Sequence, residues 1–266
     1  MKAISIDKYA KIYFAIVVIF LLKQYADGLW LFQFDNIVFK YPSIDNTYWL
    51  LYLLQIPQLI ASKKSSLFIF DLALLFSCIC NLIFINRVWL ARIFSFLFFI
   101  YFICVNSFSG HHSHMLVGIL LSNFIFCFRS INTQFKLQEK LRYYLLFLMT
   151  SAAFWKIGRG NLSDVPHFSN ILFNQHIYEL IASKNNIHKH IINYLIAHPL
   201  LSYGLYLAAT ICEFIFIIGF FTRKYDRYLI VAFILFFSMD YVLMDLNFVE
   251  LSVLLLTFIP LKKNNS

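Results

Sequence analysis

The sequence predicts an all-α, polytopic membrane bundle, and three observations predict it. Hydrophobic residues make up 61% of the 266-residue chain, and aromatic residues alone 20%. Charged residues fall to 13%, against about a quarter in an ordinary soluble domain. The apolar residues also come in long unbroken runs, such as YLIVAFILFF at 228–237, which lack the alternation of a membrane β-strand. Lipid cannot hydrogen-bond a free backbone N–H or C=O, so continuous apolar runs of this length are read as helices.

Nine segments carry the pattern: 11–32, 48–62, 67–86, 92–108, 113–128, 141–157, 200–221, 228–243 and 246–260. The second is short and contains Pro57, so the span count is eight or nine. The first follows Lys8 and Lys11 and runs on into QYADGLWLF without a small-residue cleavage site. It is therefore read as a membrane helix and not as a cleaved signal peptide. No repeat or low-complexity linker divides the chain, and 1–266 is read as one membrane domain with a helical extracytoplasmic connection at about 158–199. Within it, ILFNQHIYELI and HKHIINYLIAH have amphipathic patterns.

The net charge of +9 is placed in short loops and at helix ends, where it serves orientation on an anionic membrane and not nucleic-acid binding. RSINTQFKLQEKLR (129–142), RKYDR (223–227) and the KKNNS end are assigned to the cytoplasm, making this a multi-pass cell-membrane protein with a cytoplasmic C-terminus. NRVWLAR (86–92) fits the same side, whereas SKKSS (62–66) does not. Five cysteines, Cys78, Cys80, Cys104, Cys127 and Cys212, lie in apolar segments with no C-x-x-C pair, as core residues would.

On this topology one non-cytoplasmic face collects the titratable groups. All eight histidines lie between His111 and His198. His111, His112 and His114 of SGHHSHMLVG share that face with Lys156 and Arg159, with the 158–199 connection, and with the turn carrying Asp240, Asp245, Asn247 and Glu250. Charges also fall inside spans: Asp71 in LFIFDLALLF and Glu213 in LAATICEFIFIIGFF, and Lys23 four residues before Asp27. Such groups pair between helices or face a polar cavity, because an unpaired charge in lipid is costly. Lys156 stands beside Trp155 at the end of an apolar helix, where it either snorkels to the interface or serves as a desolvated base. His112 and His114 lack the helical spacing of a metal site, no H-E-x-x-H occurs, and no metal is assigned. No phosphate-binding loop, dinucleotide fingerprint, haem motif or flavin motif is present.

In order, HHSHMLVG, AAFWKIGRG, a long extracytoplasmic connection, CEFIFIIGFFTRKYDR and FFSMDYVLMDLNFVELS resemble the HTTM family. This is the horizontally transferred transmembrane domain that includes vitamin K-dependent gamma-carboxylase. The resemblance implies a lyase-type enzyme that oxidises a reduced quinone and modifies a peptide, with Lys156 as base and His112 or His114 orienting the substrate. Trp155, Arg159, Asp240 and Asn247 would then line the substrate site. The chain departs from the family pattern at Trp155-Lys156, where a lysine pair is expected. It departs again at Asn161-Leu162, where a Trp is expected, and at Ser238 or Asp240, where the carboxylase has a His. The carboxylase's large recognition domain has no counterpart before KKNNS, so carboxylation of a propeptide-bearing protein is not expected. Two further readings stand beside the enzyme. One is a non-catalytic membrane factor for maturation of, or immunity to, a secreted peptide, of the kind some small bacterial members resemble. The other is a proton-coupled transporter using Glu213 and Asp71.

Overall fold

The computed structural model describes residues 3–34, 53–85, 87–109, 116–181, 187–244 and 249–262. Among them the fold is helical, with no strand beyond one isolated bridge, Ile4 to Leu261. Five helices are long and apolar enough to cross a membrane: Ile6–Gln33 including its terminal turn, Lys64–Ile83, Val88–Val105, Pro199–Phe221 and Asp226–Met244. Many large apolar side chains on them point outward, among them Ile19, Ile69, Phe76, Phe96, Phe221 and Leu235, each more than half exposed. In water such a surface would aggregate; in a bilayer it is the lipid contact. The chain is accordingly an integral membrane protein. The expected eight or nine spans compare with these five among the described residues, and 35–52, holding part of the expected second span, lie outside them.

The chain divides into two compact units, 1–141 with 250–266, and 142–249, the boundary falling inside one helix. The first unit contains α1 (Ile6–Ala26), the five-residue α2 (Ile56–Ile60), α3 (Lys64–Ile83), α4 (Val88–Ser109) and α5 (Val117–Asn123). It also holds the ten-residue 3₁₀ segment Val249–Phe258 from residue 250 on. Ser5 opens α1 by accepting the Lys8 amide, and Lys23 pairs with Asp27 one turn apart at 2.5 Å. The helix ends at Ala26, earlier than the expected residue 32, because Gly28 takes a left-handed conformation (φ 73°) and turns the chain. A short 3₁₀ turn, Leu31–Gln33, follows. Asp71 sits mid-α3 and its Oδ2 accepts the Phe32 amide at 3.1 Å, so this intramembrane carboxylate caps that turn. Aromatic packing fills the unit: Tyr13, Phe14, Phe94, Phe98 and Phe126 are buried and in ring contact along the cluster. Buried polar groups find backbone partners, as Tyr13 Oη does at Ile119 O (2.7 Å) and Asn123 Nδ2 at Ala91 O (2.8 Å).

One expectation is overturned here. The segment 129–142 is not a basic loop: α6 runs Ile131–Gly158, about ten residues longer than the expected 141–157. Its early turns escape a hydrophobicity reading because they bury polar residues. Gln134, Gln138 and Arg142, spaced four apart on one face, are all buried. Gln134 donates to Phe128 O and Gln138 to Ile259 O.

The second unit holds the rest of α6, then α7 (His167–Ile181), α8 (Ile187–Ala197), α9 (Pro199–Phe214), the single turn α10 (Ile218–Phe221) and α11 (Asp226–Met244). The expected helix 200–221 is interrupted by a 3₁₀ turn, Ile215–Ile217, directly after Glu213 and Phe214. Arg142 is the most deeply buried cation among the described residues. Its guanidinium grips Asp226 through Nη2 to Oδ1 (2.6 Å) and Nε to Oδ2 (3.1 Å), and donates to the Gly219 carbonyl at 2.9 Å. The two amphipathic segments of the connection are α7 and α8. Their apolar faces, Phe168, Leu172, Ile192 and Leu195, bury against Tyr206 of α9 and Leu243 of α11. The Leu162 carbonyl, which accepts from Tyr203 Oη at 2.6 Å, further docks the connection.

Candidate functional site in the second unit

A cavity of about 380 Å³ opens in the second unit. Its walls come from the C-terminal end of α6, from α7, and from the facing sides of α9 and α11. Four side chains define its chemistry: Lys156, Glu213, Tyr206 and Asp240. Most of the remaining lining is apolar, including Phe168, Phe236 and Met239. This is the usual make-up of a small-molecule site, apolar walls with a few polar groups placed to orient a ligand.

Lys156 reaches the cavity from the last turn of α6. Its Nζ donates to Glu213 Oε1 at 2.9 Å and lies 2.8 Å from Oε2, so the ammonium straddles the carboxylate. Glu213 is almost wholly buried, its side chain only 4% exposed, while Lys156 keeps 23% of its own accessible through the opening. Nζ also lies 5.3 Å from the Tyr206 ring centre and 5.6 Å from that of Phe236, within cation–π range of both. The hydrogen bond runs to Oε1. Oε2 is in Coulomb contact with the ammonium but is buried and accepts no hydrogen bond among the described residues. With the ammonium 2.8 Å away, Oε2 is charge-compensated, and a carboxylate oxygen has capacity to accept from a further donor arriving in the cavity.

Of the residues expected at a site, the structure brings five to this cavity: Lys156, Trp155, Arg159, Asp240 and Glu213. Trp155 is mostly exposed and carries the Arg159 guanidinium on its ring face at 4.3 Å, forming a lip at the opening. His167 joins the lining, with its Nδ1 3.9 Å from Asp164. Glu213 realises the pairing between helices expected of an intramembrane charge, and its partner is Lys156, a match that 57 residues of separation hid. His112, His114 and Asn247, with His111 and Ser113, lie outside the described residues. Asp71 belongs to the first unit.

Two features escaped the sequence reading. One is Tyr206, ordinary in an apolar helix until its ring is seen beside Lys156. The other is a cluster of His176, Glu179 and His188, whose ligand-type atoms lie within 4.8 Å of one another. The signal available was His176 and Glu179 three apart on one helix, with the second histidine early in the next. A separate cavity of about 450 Å³ in the first unit sets Asp7, Arg87, Arg129 and Gln134 among apolar side chains such as Trp89 and Phe126.

No family model, curated protein or solved structure matches the chain.

Proposed function

We propose that this protein is a membrane enzyme of the HTTM type whose cavity takes a lipid-soluble substrate bearing an acidic hydroxyl, of the quinol class. The observation that carries this reading is the Lys156–Glu213 pair, with Glu213 buried, in an otherwise apolar cavity among membrane helices. The aromatic and aliphatic walls suit a hydrophobic ring, and Oε2 suits an incoming O–H. That proton passes to the Lys156–Glu213 couple. Glu213 takes it directly, or Lys156 takes it after ceding its own proton to Glu213 as the substrate displaces water. Lys156 then holds the resulting oxyanion, as a preorganised cation does. Modification of a peptide, as in the gamma-carboxylase resemblance, is the further extension of this chemistry. The same reading takes the protein as an eight- or nine-span cell-membrane protein, C-terminus cytoplasmic, with the cavity mouth toward the opposite face.

The test is duroquinol binding in nanodiscs, read by the ultraviolet absorption change on deprotonation to the quinolate. Lys156→Met and Glu213→Gln are each expected to abolish the quinolate signal while the protein stays monodisperse. An unchanged signal in either variant overturns the assignment.

A second reading, a non-catalytic factor for maturation of or immunity to a secreted peptide, is favoured by one observation. α7 and α8 turn Tyr178, Ile181, Ile187 and Tyr194 outward, an exposed apolar face on the connection. Under it, replacing those four by Ser removes function, and Lys156→Met does not.

A further inference from the structure

The cluster of His176, Glu179 and His188 has a geometry that the substrate cavity does not explain. His176 Nε2 lies 2.8 Å from the Leu243 carbonyl, and His188 Nε2 lies 2.8 Å from the Val242 carbonyl. A carbonyl only accepts, so each ring must carry its proton on Nε2. In the neutral ring the other nitrogen, Nδ1, then carries a lone pair. His188 Nδ1 lies 3.0 Å from Glu179 Oε2 and 3.1 Å from Oε1, and His176 Nδ1 lies 3.4 Å from the same Oε2. With both rings neutral, two nitrogen lone pairs and a carboxylate face one another, three Lewis-basic groups aimed at one point. That is the electronic arrangement of a cation site.

We propose that His176 Nδ1, His188 Nδ1 and a Glu179 carboxylate oxygen form a binding site for a divalent transition-metal ion of the zinc class. Ligand type, spacing and outer partners agree on this. Two imidazoles and one carboxylate are a recurrent ligand set for zinc and its first-row neighbours. Zinc–ligand bonds of about 2.0–2.2 Å in tetrahedral arrangement set the ligand atoms roughly 3.3–3.5 Å apart. Glu179 Oε2 lies 3.0 Å from His188 Nδ1 and 3.4 Å from His176 Nδ1, close to that spacing. Metal-bound histidines habitually donate their second ring N–H to a backbone carbonyl or carboxylate, which fixes ring orientation, and both rings do so here. The rings meet edge to face, 5.1 Å between centres at 71°, and both Nδ1 atoms approach the same Glu179 oxygen, at 3.4 and 3.0 Å. His176 is buried, whereas Glu179 and His188 keep about 30% of their side chains exposed, which leaves a solvent side for ion entry and for a water as fourth ligand. Bound there, the ion ties α7 and α8 to each other and, through the two carbonyls, to the last turn of α11.

The test uses the full chain without a histidine tag, purified in detergent, stripped with a chelator and titrated with zinc chloride, then with cobalt(II) as a spectroscopic substitute. The expected result is one zinc per chain, tetrahedral cobalt bands in the visible, and a thermal midpoint that rises with zinc concentration. His188→Ala and Glu179→Gln, both at partly exposed positions, are each expected to weaken binding by at least about tenfold. Lys156→Met is expected to leave zinc binding unchanged, so this result and the fate of the quinol reading separate cleanly. Absence of zinc binding by the wild-type chain overturns the proposal, as does undiminished binding in both ligand variants. A third overturning result is stability that varies with pH through the histidine range and ignores zinc; the cluster is then a proton-held latch.

Discussion

Replacing Asp226 by Ala removes the counter-charge of the most deeply buried cation among the described residues. Arg142 is 1% exposed and its partner Asp226 is 4% exposed, so neither charge has water to fall back on. The pair is bidentate, at 2.6 and 3.1 Å, and Arg142 also donates to the Gly219 and Thr222 carbonyls. Those two carbonyls cannot neutralise the guanidinium. The variant therefore retains a buried charge lacking its Asp226 counter-ion, a situation that costs about 3–5 kcal/mol. Asp226→Asn keeps the shape and one acceptor but turns an amide N–H₂ toward guanidinium donors, and belongs near the lower end of that range. The double variant Arg142→Met, Asp226→Ala removes both charges and should recover most of the loss, because an apolar replacement of a buried pair is often close to neutral. The assay is equilibrium unfolding in mixed micelles, run as a double-mutant cycle on unit-wide tryptophan and circular-dichroism signals. A cost for Asp226→Ala below about 0.5 kcal/mol, the scale of an ordinary surface change, refutes the reasoning. So does additivity of the two single changes, which would mean the groups do not interact.

Other consequences follow from the same packing. Gly219→Ala puts a methyl against Leu146 Cδ2, and within 2.9 Å of Leu229 Cδ1, so it should destabilise by about 1–3 kcal/mol in the same assay. Asn123→Ala strips buried bonds to the Ala91 carbonyl and Ser95 Oγ and should cost about 1–3 kcal/mol, whereas Asn123→Asp should be worse, since it turns an acceptor on an acceptor. Asp27→Asn breaks only the partly exposed pair with Lys23, and its effect should stay within about 0.5 kcal/mol. Glu213→Gln should weaken quinol binding roughly 10- to 150-fold, the worth of a hydrogen bond to a charged acceptor, with the thermal midpoint measured alongside to separate binding from folding.

What the sequence disclosed and what it hid have a common physical cause. Apolar runs are legible because lipid contact needs only hydrophobicity: α3, α4, α9 and α11 begin within a few residues of the expected segments. Buried polar faces are illegible by the same logic. Gln134, Gln138 and Arg142 made the start of α6 look like a cytoplasmic loop, although each finds a specific hydrogen-bond partner. At the site, Lys156 was visible as an odd cation at the end of an apolar helix, and Glu213 as an odd anion inside another. Their meeting depends on how α6 and α9 pack, which no local pattern encodes. The His176 cluster was hidden differently. Its i,i+3 histidine and glutamate are common on exposed helices, and only the fold brings His188 and two carbonyls of α11 to them. Asp71 was conspicuous as a charge in a span, yet its role as cap of the Leu31–Gln33 turn needed the break at Gly28.

The measurement that bears most directly on the Lys156–Glu213 cavity is photo-crosslinking of a quinol analogue to the protein in nanodiscs, with adducts mapped by peptide mass spectrometry. The account predicts labelling at Tyr206, Phe236 or Met239, competed by duroquinol and lost in Glu213→Gln. Labelling spread over the lipid-facing helices, equal in wild type and Glu213→Gln and indifferent to duroquinol, would contradict it.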